Sequence, residues 1–179
     1  MVLRGMIMRP ILTTTLTVRK KPGVVMRYAT KLTLEENVRE KGLEVIARNV
    51  QLIHAWVEGV DLQMGWGDPH KSFRLLRGWL HALRDSLPLS DVGNLSAQLP
   101  LIVRGLFFEQ WKPTAVHVRM DSSTFLQRLD SEIYPDHLDN PALAAASVFS
   151  VFRSHIGEEE VNKLMHVLPH GIRELLSAH

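Results

Sequence analysis

The chain has no cysteine among its 179 residues. That removes a disulfide framework, a thiolate zinc or iron–sulfur site, a cysteine nucleophile and a thiol redox sensor. A reducing compartment, the cytoplasm, is the setting compatible with it. No apolar run approaches the ~20 residues that a membrane-spanning helix needs, and charges interrupt each hydrophobic stretch. Aromatic residues are sparse at 7%, whereas hydrophobic residues in all make up 45%, enough for a packed core. The common catalytic signatures are also missing: no Gly-x-Ser-x-Gly elbow, no phosphate loop, no His-Glu-x-x-His and no calcium loop. Gly65-Trp66-Gly67 starts like a dinucleotide fingerprint, but His70 stands where the third glycine belongs. No cofactor is expected, and the reading leans away from an enzyme.

Charge is segregated rather than scarce. Residues 1–31 carry seven bases and no acid, while residues 32–179 carry fourteen bases against nineteen acids. An acidic body lacks the broad basic face that phosphate-backbone binding requires, so no nucleic acid is expected there; the basic arm could touch anionic surfaces. The arm's Thr-rich, acid-free composition resembles a targeting or membrane-surface segment but lacks a clean apolar region followed by a cleavage site. Otherwise it is disordered or precedes the true start at Met6, Met8 or Met26, or it forms a short hairpin from Ile11–Val18 and Val24–Tyr28, or it contacts nucleic acid or an anionic lipid.

From residue 32 onward the pattern is helical. Thr33 and Glu36 have capping-box spacing, and Leu34, Val38, Val45, Ile46, Ile53, Trp56, Val57 and Val60 recur near helical period, with Gly42 and Asn49 as weak points. Asp68 and Pro69 read as N-cap and first residue of the next helix. In that helix Phe73, Leu76, Trp79, Leu80 and Leu83 form one stripe, leaving Arg74, Arg77, Arg84 and Asp85 largely outside it. Residues 112–121 read as an extended linker.

Sliding the chain against itself by 69 residues aligns Arg84, Val92, Leu95, Leu99, Pro100, Arg104 and Leu106 with Arg153, Val161, Leu164, Leu168, Pro169, Arg173 and Leu175. Seven identities in 23 positions exceed the about two expected from composition. Trp56 also meets Phe125, and Val60 meets Leu129. The expected fold class is therefore all-α: two tandem units of about four helices each, at about 53–111 and 122–178, packed as a pseudo-two-fold bundle. A long N-terminal helix and the basic arm precede them. Within residues 32–179, unit one has helices at about 53–65, 69–86, 88–98 and 99–111, and unit two at about 122–134, 141–155, 157–167 and 168–178.

Arg104 and Arg173 share one repeat position, and so do Asp61 and Asp130, which makes Arg104 with Asp61 and Arg173 with Asp130 candidate structural ion pairs. Each arginine otherwise meets capping carbonyls. Trp66, Phe108 and Trp111 are surplus aromatics that either cover the N-terminal helix or bind a partner. The nine histidines offer no convergent set, so no metal site is expected; Asp136, His137 and Asp139 cluster in a loop, and His166 and His170 are separated by Pro169.

Three stretches carry a family resemblance: Met64-Gly65-Trp66-Gly67-Asp68, Leu80 to Pro88 (LHALRDSLP), and Ala97 to Pro113 (AQLPLIVRGLFFEQWKP). On them, with Leu168-Pro169 to Arg173-Glu174-Leu175 in the second unit, the chain resembles the bacterial domain-of-unknown-function family numbered 2267. The resemblance spans about residues 50–178 and implies a helical bacterial protein with a duplicated body. It implies no activity and assigns no residue a role. Two functions remain open: a non-enzymatic helical module acting through a protein partner or self-association, and an enzyme or small-ligand binder. The second would have its site between the units, near Arg104, Asp61 and Trp66.

Overall fold

A computed structural model of the chain describes residues 22–113 and 120–177, with side chains from Val38 onward. Among the described residues there are eight helices and no strand, so the fold is all-α. They are α1 (Pro22–Met64), α2 (Pro69–Asp85), α3 (Leu89–Gln98), α4 (Leu101–Phe108), α5 (Ser122–Glu132), α6 (Pro141–His155), α7 (Glu158–Val167) and α8 (His170–Ser177).

The N-terminal expectations need correction. α1 begins at Pro22, well before Thr33, so Thr33 lies inside a helix instead of capping one. Proline suits a helix start, because its φ is preset and its missing N–H has no partner there. Val24–Tyr28 is helical, not the second strand of a hairpin, while Ile11–Val18 lies outside the described residues. Gly42 and Asn49 do not interrupt α1. The chain splits into two compact units within α1, between Leu43 and Glu44.

In the body, Glu44–His179, α2 is the hub and packs against α4, α5 and α6. Its N-terminus is fixed by Asp68, whose Oδ1 accepts the His70 and Lys71 amides, each at 3.0 Å, directly before Pro69. Leu75, Leu76, Trp79, Leu80 and Leu83 are fully buried on α2, while Phe73 is only half-buried. Trp79 lies 5.3 Å from Phe152 and 6.3 Å from Phe149 between ring centroids, and Trp56 meets Phe152 edge-on at 5.9 Å. Such aromatic pairs add about 0.5–1.5 kcal/mol beyond their burial, which ties α1, α2 and α6 into one core.

Asn49 has a specific task. Pro100 leaves α4 without a side-chain cap of its own, and Asn49 Oδ1 on α1 accepts the Leu101 amide at 3.0 Å. An amide that would otherwise lack a partner is satisfied by a residue 52 positions away. Above this anchor Val45, Ile46 and Val50 stay exposed.

The later helices keep a fixed spacing. α3 and α7 begin at Leu89 and Glu158 and end at Gln98 and Val167; α4 and α8 begin at Leu101 and His170 and end at Phe108 and Ser177. The residues before α3 and α7 share one conformation, φ −56° and ψ 149° at Pro88 against φ −58° and ψ 145° at Gly157. Lys112 and Pro113 are irregular, whereas residues 114–119 of the expected linker lie outside the described residues.

Candidate functional site

α3 packs against α7, and between them runs an open groove of about 800 Å³. Its floor is apolar because Leu95 and Leu164 must turn inward on their helices, and both are buried together with Leu87. Val167 adds a partly exposed apolar edge, 38% accessible. Above the floor α3 contributes Asp91, Asn94 and Gln98, and α7 contributes Glu159, Glu160, Asn162 and Lys163.

The rim's charge is uneven. Lys163 is its one base, and its ammonium is held between Glu159 Oε1 at 2.8 Å and Glu160 Oε1 at 2.9 Å. The hydrogen bond it donates to Glu159, followed by that to Glu160, pushes the ammonium pKa up to about 12. The same contact holds the Glu159 carboxyl below the usual glutamate range. Asp91 and Glu159 with Glu160 lie in the first turns of α3 and α7, where carboxylates favour the helix dipole. Three acids against one shared base leave the edge net negative with histidine neutral.

His166 lines the groove, yet its Nδ1 stands 2.7 Å from the Asn162 carbonyl of its own helix and is engaged there. Among the described residues, no group of three His, Asp or Glu stands together as a metal site would require. Asp136 of the loop cluster pairs with Arg74, and His137 approaches Asp130 at 3.3 Å.

Arg104, Asp61 and Trp66 do not line this groove. Arg104 is exposed and its Nη2 donates to the Leu99 carbonyl at 3.1 Å, while Arg173 donates to the Leu168 carbonyl at 3.1 Å. The carbonyl alternative is the one the structure takes: the chain turns between α3 and α4, and again between α7 and α8, exposing a carbonyl that a long guanidinium can reach. Asp61 Oδ1 instead accepts the Asp68 amide at 3.0 Å and the Ser72 hydroxyl at 2.8 Å. Asp130 Oδ1 accepts the Leu138 amide at 2.8 Å, the main reason its carboxyl is held below the usual range. Each aspartate closes the loop leading into the next helix; neither is brought to its expected arginine.

The aromatic candidates are partly committed to packing. Lys71 Nζ sits 4.3 Å from the centre of the half-buried Trp66 ring. Phe108 and Trp111 are half-buried against the core and lie 5.3 Å apart between ring centroids. Trp111 faces Arg84, whose guanidinium carbon is 6.0 Å from its ring centre. Arg84 was expected outside the apolar stripe but is 3% exposed. It can be buried because Nη1 donates to the Phe107 and Glu109 carbonyls at 2.8 and 3.2 Å, and Nε donates to Asp85 Oδ1 at 2.7 Å. Asp85 in turn meets Arg128 at 2.7 Å.

The residues that sequence reasoning missed are Asp91, Asn94, Gln98, Lys163 and Val167. Their helices were placed, and Leu95 and Leu164 were paired by the 69-residue offset, but nothing in the sequence states that α3 and α7 face each other. The family model described as "Uncharacterized conserved protein (DUF2267)" matches residues 53–175. No curated protein matches the chain.

Proposed function

Since this chain belongs to the DUF2267 family, whose description carries no activity, we propose that it is a non-enzymatic helical interaction module that binds a partner protein in the α3–α7 groove. The observation that carries this reading is the groove itself: two short helices leave an opening whose accessible apolar lining is Val167 and Ala97, over the buried Leu87, Leu95 and Leu164 and beneath a polar rim. Such a surface suits the apolar face of a helical segment presented by a partner. The groove takes the place of Trp66, Phe108 and Trp111 as the partner surface, because those rings are already packed against the core. The volume also lies in the range of small-ligand sites, so a small-molecule binder is the second reading.

We also infer that the body is an internal duplication. It is supported by the shared spacing of α3 with α7 and α4 with α8, and by the Arg104–Leu99 and Arg173–Leu168 bonds. Under it the groove is lined by equivalent positions: Asp91 and Glu160, Asn94 and Lys163, Leu95 and Leu164. A bacterial, cytoplasmic setting belongs to the same proposal; the cysteine-free composition is compatible with a reducing compartment.

The absence of native cysteine makes the test clean. A photo-crosslinker attached at Ala97→Cys in the groove is compared in cells with one at Gln127→Cys on exposed α5. The expected result is a discrete protein adduct from Ala97 only, lost when Val167→Glu is added. A doubled mass would identify a second copy as the partner. No adduct, or identical adducts from both positions, would overturn the reading.

A further inference from the structure

Resting on that reading, we infer that the groove selects a helical segment whose apolar stripe is flanked by lysine or arginine, and rejects one flanked by acids. Complementary charge fixes which apolar helix is admitted, since leucine contacts alone discriminate poorly among amphipathic partners.

The two edges agree in sign. Asp91 stands on the α3 edge and Glu159 and Glu160 on the α7 edge, so cationic flanks on either side of a seated helix would meet a carboxylate. The single base, Lys163, is shared by both glutamates, so an acidic flank reaching it would compete with two carboxylates already in place. An incoming carboxylate would also face three like charges. Amides at Asn94, Gln98 and Asn162 accept either donors or acceptors and do not change the preference. Residues 32–179 as a whole carry nineteen acids against fourteen bases, whereas the full chain with its basic arm is +2. What distinguishes this groove from a merely acidic surface is its accessible apolar lining, Val167 and Ala97 over the buried leucines, which apolar anchors can meet beneath the charges.

The experiment measures fluorescence anisotropy of the full chain with three labelled synthetic helices. All share one leucine stripe, and their flanks are lysine and arginine, glutamine, or glutamate. The cationic helix is expected to bind about tenfold more tightly than the glutamine helix, with the advantage shrinking from about 0.05 to about 0.3 M salt. Asp91→Asn with Glu159→Gln and Glu160→Gln should abolish that advantage, and an unchanged thermal melt checks that the triple variant folds. Equal binding of cationic and glutamine helices, lost in Val167→Glu, would overturn the charge inference while leaving the groove reading intact. A cationic preference surviving the triple variant would place the peptide elsewhere and also overturn the inference. Failure of all three helices to bind would overturn both.

Discussion

At Gly78 the backbone of α2 passes so close to Glu132 of α5 that a Cβ placed there would stand 2.6 Å from the Glu132 Cβ. The missing side chain is what allows the approach, and across it Arg77 reaches the Glu132 carboxylate at 3.3 Å.

Gly78→Ala should therefore destabilise the body by about 1–3 kcal/mol, the usual cost of overpacking a closed contact. Gly105 on α4 has open space around the same position. Gly105→Ala should stabilise by about 0.5–1 kcal/mol through reduced chain entropy. Urea denaturation of the two variants checks the opposite signs; a neutral Gly78→Ala would show that the helices can part without cost.

Arg84 and Arg153 are aligned by the 69-residue offset but sit in different environments: Arg84 is buried among carbonyls, and Arg153 is exposed with its guanidinium 5.8 Å from the centre of the Phe149 ring. Arg84→Met should cost about 1–3 kcal/mol, because the Phe107 and Glu109 carbonyls and Asp85 lose a charged donor. Arg153→Met should stay within about 0.5 kcal/mol. Melting curves of both variants under one buffer decide it, and equal losses would refute the asymmetry.

Acid should loosen the starts of α2 and α5. The Asp68 carboxyl is held below its ordinary 3.8 chiefly by the Lys71 amide, and that of Asp121 chiefly by the Thr124 amide. Because both folded-state values lie below the unfolded one, the stability they supply is complete above ordinary aspartate titration. It is lost as pH falls through the folded values. Asp68→Asn with Asp121→Asn keeps capping groups that do not titrate. Stability measured from pH 7 down to about 2.5 should then fall less steeply below about 4 than in the parent; parallel curves would mean that other groups govern acid unfolding.

The sequence showed most of the local structure, because helix ends depend on near neighbours. Asp68-Pro69 marked the start of α2, the 141–155 helix has its expected bounds, and the helices flanking Pro100 and Pro169 fall within two or three residues of expectation. The start of α1 was less legible, since Thr33 and Glu36 have capping spacing wherever they occur, and Pro22 begins the helix earlier. Asp61 and Asp130, aligned by the 69-residue offset and expected to meet arginines, each accept a backbone amide instead. An aspartate can accept from a backbone amide seven or eight residues away as readily as from a guanidinium, and sequence spacing does not choose between them.

From the residues alone came the helical class, the apolar stripe of α2, the caps and the charge imbalance, all set by local periodicity, local hydrogen bonding and composition. The tertiary structure decided the rest: that Arg84 is buried, that Asn49 serves α4, and that α3 and α7 line a groove. Those outcomes depend on which surfaces meet across long stretches of chain, and side chains far apart in sequence acquire a common environment only once the helices have packed.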